Sequence, residues 1–270
     1  MPFAHSKDGT RIAYEIHGEG SLKVILLHGW GGSCSYWRDL AKHLNLQGLQ
    51  IIAMSYRGHG DSDHGPTGYT LDQFATDVLS VADDAGADRF VLVGFSMSGK
   101  FAQYVAALHP QHVLGLVLIA PVPASEFPVP AEVAKSWCDT QHDRNAAFST
   151  ILAPFTKIPV RRELTELFLD DFAKAARVGL EETLNMCGAS LVEQARGIRI
   201  PTLVLAGSYD PLLAPDLLKS TILTQIVGAR MVTLPAGHEI PQEMPEQTAA
   251  LLEAFLSGVA PCSADKVRAA

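Results

Sequence analysis

The feature that most constrains this chain is a series of short, unbroken apolar runs at residues 24–27, 51–54, 90–93, 116–119 and 203–206, with a further one at 231–234. A strand with one wet face alternates apolar and polar residues, whereas a parallel strand covered on both faces reads as a continuous run. Before them, residues 11–16 alternate, with Ile12, Tyr14 and Ile16 on one side, as a half-buried strand does. Helical spacing fills the gaps: Trp37, Leu40, Ala41 and Leu44; Phe74, Val78, Val81 and Ala82; Phe101, Tyr104, Val105 and Leu108. Parallel neighbours need long crossovers to return to the same sheet end, so the pattern predicts an α/β fold, a mostly parallel sheet with helices on both faces.

One stretch breaks the rhythm. Residues 122–199 contain no strand-like run, Pro121, Pro123, Pro128 and Pro130 stiffen their beginning, and Leu164, Leu167, Phe168, Phe172 and Ala176 follow helical spacing. We read a helical insertion over 122–199 on a core formed by 1–121 and 200–258, with 259–270 as a flexible tail. With 270 residues, 47% of them hydrophobic and 19% charged, the chain can bury one large core and carry such an insertion. The insertion's aromatics, among them Phe148 and Phe172, either fill its own core or wall a ligand pocket. Phe127, Trp137, Phe155 and Phe168 are the candidates for the wall, although for any single aromatic packing is the commoner role.

Composition removes several function classes. The formal charge is −8, and no basic block supplies the phosphate-neutralising stripe that nucleic acid requires. The first residues hold no apolar signal region and no apolar stretch is long enough to span a bilayer, so no membrane partner and a cytoplasmic protein are expected, monomeric or homodimeric. Cys34, Cys138, Cys187 and Cys262 are widely spaced without metal-site partners and read as free thiols. No dinucleotide or phosphate loop follows a strand, and neither cofactor nor metal is implied. The crowded Tyr56-to-His64 stretch, with its glycines, reads as a tight surface turn.

The informative junction is Val93-Gly94-Phe95-Ser96-Met97-Ser98-Gly99, where a buried strand runs into a helix. Small residues two positions either side of Ser96 permit a sharp turn that lifts a hydroxyl clear of the sheet, and the helix start offers amides to a developing negative charge. Ser96 is thus a nucleophile or a helix N-cap, and the motif alone leaves both open. Order of the other parts favours chemistry. A serine hydroxyl needs a base with a pKa near 7 held by a carboxylate. His238 sits just past the last strand and Asp210 just past the strand before it. Asp216 reads as a helix-capping acid, Glu126 is a lesser alternative, and Glu239 adjoins the base and is expected to point away. The glycine-rich loop His28 to Ser33 follows an early strand, so the backbone N–H groups of Trp30 and Met97 are the candidate oxyanion donors. His28 is expected to bond within its loop, and Lys100 to point along the helix away from Ser96.

In these four blocks, the His28-Gly29 loop, the Arg57-Gly58-His59-Gly60-Asp61-Ser62 turn, the Ser96 elbow and the Asp210/His238 pair, the chain resembles the α/β-hydrolase superfamily over nearly its whole length. The resemblance implies an eight-stranded, mostly parallel sheet, a helical cap and a Ser-Asp-His triad. Ser96 in place of an aspartate nucleophile argues against dehalogenases and epoxide hydrolases. Two positions depart from the pattern. Ser55 stands where an aspartate is common, and Ser98 replaces the second elbow glycine, as in the slow-turnover receptors and regulators of the strigolactone-receptor type. The ordered Ser96, Asp210 and His238, with an apolar insertion that lacks a dense cationic cluster apart from Arg161-Arg162, lead us to expect hydrolysis of small, uncharged esters or lactones. Carbon–carbon bond hydrolysis of a keto acid and ligand sensing are the alternatives.

Overall fold

The structure is a computed structural model that describes residues 1–259. Eight strands form one sheet in the order β1-β2-β4-β3-β5-β6-β7-β8: β1 Phe3–His5, β2 Arg11–His17, β3 Leu22–Leu27, β4 Leu49–Met54, β5 Phe90–Phe95, β6 Val113–Ile119, β7 Thr202–Gly207 and β8 Arg230–Leu234. Pairing is antiparallel for β1 with β2 and β2 with β4, and parallel everywhere else. Every continuous apolar run lies in a parallel strand. β5 and β7 are buried at all six positions, as double-sided cover demands. The strand that the residue pattern left unread is β1, whose three residues are too few to show a period.

Helices cover both faces. α2 (Leu71–Asp84) and α3 (Met97–Leu108) pack with α8 (Val192–Arg196) and α9 (Pro215–Gln225) on one side, where Phe74, Val78, Phe101 and Val105 meet Ile25, Leu92 and Leu118. α1 (Arg38–His43) and α11 (Pro245–Val259) cover the other, where Trp37, Leu40 and Leu252 meet Val24, Val91 and Val117. The residues expected as a tail lie outside the described chain apart from Val259, which closes α11.

Between β6 and β7 the described chain is helical: α4 (Ala131–Asp139), α5 (Arg144–Ala147), α6 (Arg162–Lys174), α7 (Arg177–Cys187) and then α8. This insertion has its own apolar cluster around Cys138, Ile151, Leu169, Phe172, Leu180 and Leu184. Its two ends belong to the sheet instead: Val122 and Ala124 at the start, and Leu191, Ala195 and Ile198 at the finish, pack in the sheet core. The ends are zipped together by the Leu191 N–H to the Ala124 carbonyl (2.7 Å) and the Phe127 N–H to the Cys187 carbonyl (3.1 Å). Lys100 from α3 clamps the same joint, its ammonium donating to the carbonyls of Ser125 (3.0 Å) and Cys187 (2.5 Å). It points away from Ser96, as its place four residues along the helix requires, and burial lowers its pKa to about 8.

Candidate active site

Ser96 lies at the end of β5 with φ 56° and ψ −122°, a left-handed conformation that a side-chain-bearing residue adopts only under constraint. The constraint is backbone. The Ser96 N–H donates to the Ile119 carbonyl (2.9 Å), while its carbonyl accepts from the Gly99 and Val122 N–H groups (both 2.9 Å). Position 94 must be glycine, since a Cβ there would stand 2.5 Å from the Ser98 carbonyl oxygen. Ser96 caps nothing with its side chain, which frees the hydroxyl. Ser98 explains its own departure from glycine. Its hydroxyl accepts from the Phe95 N–H at 2.8 Å and lies 2.8 Å from the carbonyls of Leu27 and Phe95, so it fastens the elbow to β3.

Three distant residues meet here. His238 Nε2 is 2.8 Å from Ser96 Oγ, and His238 Nδ1 is 2.8 Å from Asp210 Oδ2. The second oxygen of Asp210 accepts from the Leu212 and Leu213 N–H groups at 2.8 and 3.0 Å. Burial alone would raise its pKa, yet the His238 charge and hydrogen bond and the two amides hold it below the usual carboxylate range. Burial pushes His238 down, but the Asp210 charge and hydrogen bond, helped by Glu239 and Glu243, leave it raised above 6.5. The loops that carry Asp210 and His238 are stitched to each other by Ser208 N–H to Leu234 carbonyl and Tyr209 N–H to Ala236 carbonyl, 2.8 and 3.0 Å. Asp216 and Glu126, the other acids weighed from sequence, are exposed and far from this arrangement in role.

The N–H of Met97, first residue of α3, has no acceptor within its helix, and among the described residues the Trp30 N–H has no protein acceptor either. The Trp30 indole donates to the Leu180 carbonyl at 2.9 Å and its rings pack against Trp137 and Phe172, which ties the loop to the insertion. His28 does bond within its loop, Nδ1 to the Gly29 carbonyl (2.7 Å), and its Nε2 also accepts the Tyr56 N–H (3.2 Å). Burial keeps it neutral. The Tyr56-to-His64 turn corrects an expectation: it is not superficial, since residues 55–60 are all buried and Arg57 forms a two-pronged pair with Asp77 at 2.7 Å on each arm.

A cavity of about 60 Å³ opens over Ser96. Trp137, Phe155 and Phe168 line it together with Trp30, Tyr36, Phe95, Ile151 and Leu212. Phe127, expected in the wall, instead packs against the sheet core, because the backbone bond to Cys187 holds it at the root of the insertion. Phe172 fills the insertion's own core and Phe148 is exposed. Glu239 is a further correction. It does not point away but lines the cavity, with one oxygen held by the Tyr36 hydroxyl at 2.8 Å. Glu243, which the sequence reading passed over, accepts the N–H groups of Gly237 (2.9 Å), Lys157 (2.9 Å), Ile158 (2.7 Å) and Glu239 (3.1 Å), and so fixes the base loop against the insertion. A lone acid at the end of α10 (Ile240–Glu243), five residues past His238, gives no local sign of this.

Compared with known proteins, the chain matches the family model described as alpha/beta hydrolase fold over residues 23–243. It is 29% identical over 262 residues to a provisionally named non-heme chloroperoxidase of Synechocystis sp., covering 91% of this chain and 94% of that one. Two further curated relatives are aligned over 65% and 44% of their own lengths. Its fold is similar to that of an esterase from Exiguobacterium antarcticum (TM-score 0.85, 23% identity, 94% of this chain and 98% of that chain covered). It is also similar to that of an enol-lactonase from Burkholderia xenovorans (TM-score 0.83, 24% identity, 95% and 100% covered). The family match runs from the third strand to just beyond the last, taking in the whole parallel sheet, and the chain belongs to the alpha/beta hydrolase fold family.

Proposed function

We propose that the protein is a serine hydrolase that cleaves small, uncharged carboxylic esters or lactones through an acyl-enzyme. The observation that carries this reading is the continuous chain from Ser96 Oγ through the His238 ring to Asp210, both links 2.8 Å. His238 Nε2 takes the hydroxyl proton as Ser96 Oγ bonds to the carbonyl carbon, and Asp210 stabilises the imidazolium and fixes the ring's orientation. The Trp30 and Met97 amides receive the oxyanion. His238 then returns the proton to the leaving alkoxide, and water, deprotonated by the same imidazole, releases the acid and regenerates Ser96.

Size and polarity of the cavity support the substrate class. About 60 Å³ is far below the roughly 300–1,000 Å³ of a drug-sized pocket, which favours a short acyl group. Among the described residues no lysine or arginine lines it, so a keto acid would bring its carboxylate to a wall that holds Glu239 and no described cation, which weighs against carbon–carbon bond hydrolysis. The structural task of Ser98 accounts for its place in the elbow without slow turnover. The test is hydrolysis of p-nitrophenyl acetate by native and Ser96→Ala protein: loss of activity in the variant is expected, and cleavage at the native rate would overturn the reading.

A further inference from the structure

Among the described residues, the Ser96 cavity is lined by one carboxyl group, which hydrolysis does not employ. Glu239 is partly buried in a wall otherwise built from Trp30, Tyr36, Trp137, Phe155 and Phe168. It is fixed at both ends, by the Tyr36 hydroxyl on Oε2 (2.8 Å) and by its own N–H donating to Glu243 (3.1 Å). Among the described residues no lysine or arginine pairs with it. Burial raises its pKa above the usual carboxyl value; among its charged neighbours His238 favours the carboxylate, whereas Glu243 and Asp210 oppose it. A carboxyl placed in an apolar site without a cation costs free energy. Aromatic rings around a single acid are the chemistry that takes up a cation: a ring face attracts positive charge, a carboxylate forms an ion pair, and a dry wall strengthens both. An anion meets repulsion at the same place.

We propose that Glu239 is a specificity-determining residue that selects, within the small-ester class, substrates bearing a protonated amine near the scissile carbonyl and rejects those bearing a carboxylate. This rests on the assignment of Ser96 as nucleophile. Three methyl esters of similar size test it: methyl 3-aminopropanoate, methyl butanoate and monomethyl malonate. At neutral pH native protein is expected to favour the ammonium ester over the malonate by at least tenfold in kcat/KM, and Glu239→Gln, which keeps the shape and removes the charge, to shrink that ratio at least fivefold. A native ratio near one, or a ratio that Glu239→Gln leaves in place, overturns the proposal. Binding provides a readout independent of turnover. Trp30 and Trp137 line the cavity, so propylammonium should perturb tryptophan fluorescence in Ser96→Ala protein, at least fivefold more weakly once Glu239→Gln is added, and propionate should not. Equal response to both ions would also overturn it. Methyl butanoate keeps the two claims apart: if native protein fails to cleave it, the hydrolase reading falls while the ammonium titration still decides Glu239; if it is cleaved with no charge preference, only the role of Glu239 falls.

Discussion

The floor and the roof of the Ser96 cavity are built by different means. The floor is main chain: β5, β6 and α3 hold Ser96 by three backbone hydrogen bonds and the Ser98 hydroxyl, among strands with no exposed positions. The roof is side chain. Trp137, Phe155 and Phe168 belong to the insertion, which is tied to the sheet body by side chains, with Asp171 accepting from the Ser33 hydroxyl (2.8 Å) and from Ser35, Lys174 pairing with Asp61 (2.7 Å), Arg161 pairing with Asp39 and the Trp30 indole on Leu180, and by main chain, with the Phe155 carbonyl accepting the His238 N–H (2.6 Å) and the Ala176 N–H donating to the Gly58 carbonyl (2.7 Å). A floor fixed by backbone holds reacting atoms to a fraction of an ångström, as near-attack geometry requires. A roof of side chains can be recut without disturbing them. Chemistry and acyl-chain selectivity are therefore expected to separate by region.

Substitutions can break or sharpen that separation. Ser96→Ala should lower kcat/KM for p-nitrophenyl acetate by about 10⁶-fold, leaving only the background of binding and oxyanion stabilisation. Asp210→Asn should cost about 10⁴-fold in kcat with KM little changed, because the ring loses its tautomer and its counter-charge. The pH profile carries the same information. Hydrolysis needs neutral His238, whose pKa is raised, so kcat/KM should climb with pH through a midpoint above 6.5; in Asp210→Asn burial is left less opposed and the midpoint should move to lower pH. In the roof, Trp137→Ala should change the preference among acyl chain lengths roughly tenfold through KM while kcat for acetate stays within a few-fold. Phe127→Ala should do the reverse, losing about 1–3 kcal/mol of stability in urea with acyl preference unaltered, since that ring packs against the sheet core. A Phe127 variant that altered acyl preference, or a Trp137 variant that abolished kcat, would erase the division.

The same division decides what could be read from sequence. Elbow, base and acid are announced locally: Gly94 and Ser98 flank Ser96 because the turn has no space, and Asp210 and His238 each follow a strand whose apolar run is plain. Roof residues carry no such mark. Phe127 and Trp137 look equivalent in the chain, and only the backbone bond between Phe127 and Cys187 turns one to the core while the other faces Ser96. The expectation for Glu239 fails for a related reason. A neighbour of the base in a strand would face the opposite side, but the loop at 237–239 is not extended, and Tyr36, 203 positions away, settles where the carboxyl lies. The burial of the Tyr56-to-His64 turn likewise depends on Asp77 and the insertion, not on the polarity of the turn itself. β1 stayed invisible because three residues show no period, and its place rests on the register with β2.

The proposed hydrolysis requires above all that His238 make Ser96 strongly nucleophilic. Treatment with a fluorophosphonate followed by mass spectrometry of the digested protein measures this without any assumption about substrate. One phosphonyl adduct on the peptide containing Ser96 is expected in native protein, and none at comparable times in His238→Ala. An adduct on another residue, or equal labelling of Ser96 with and without the imidazole, would contradict the account.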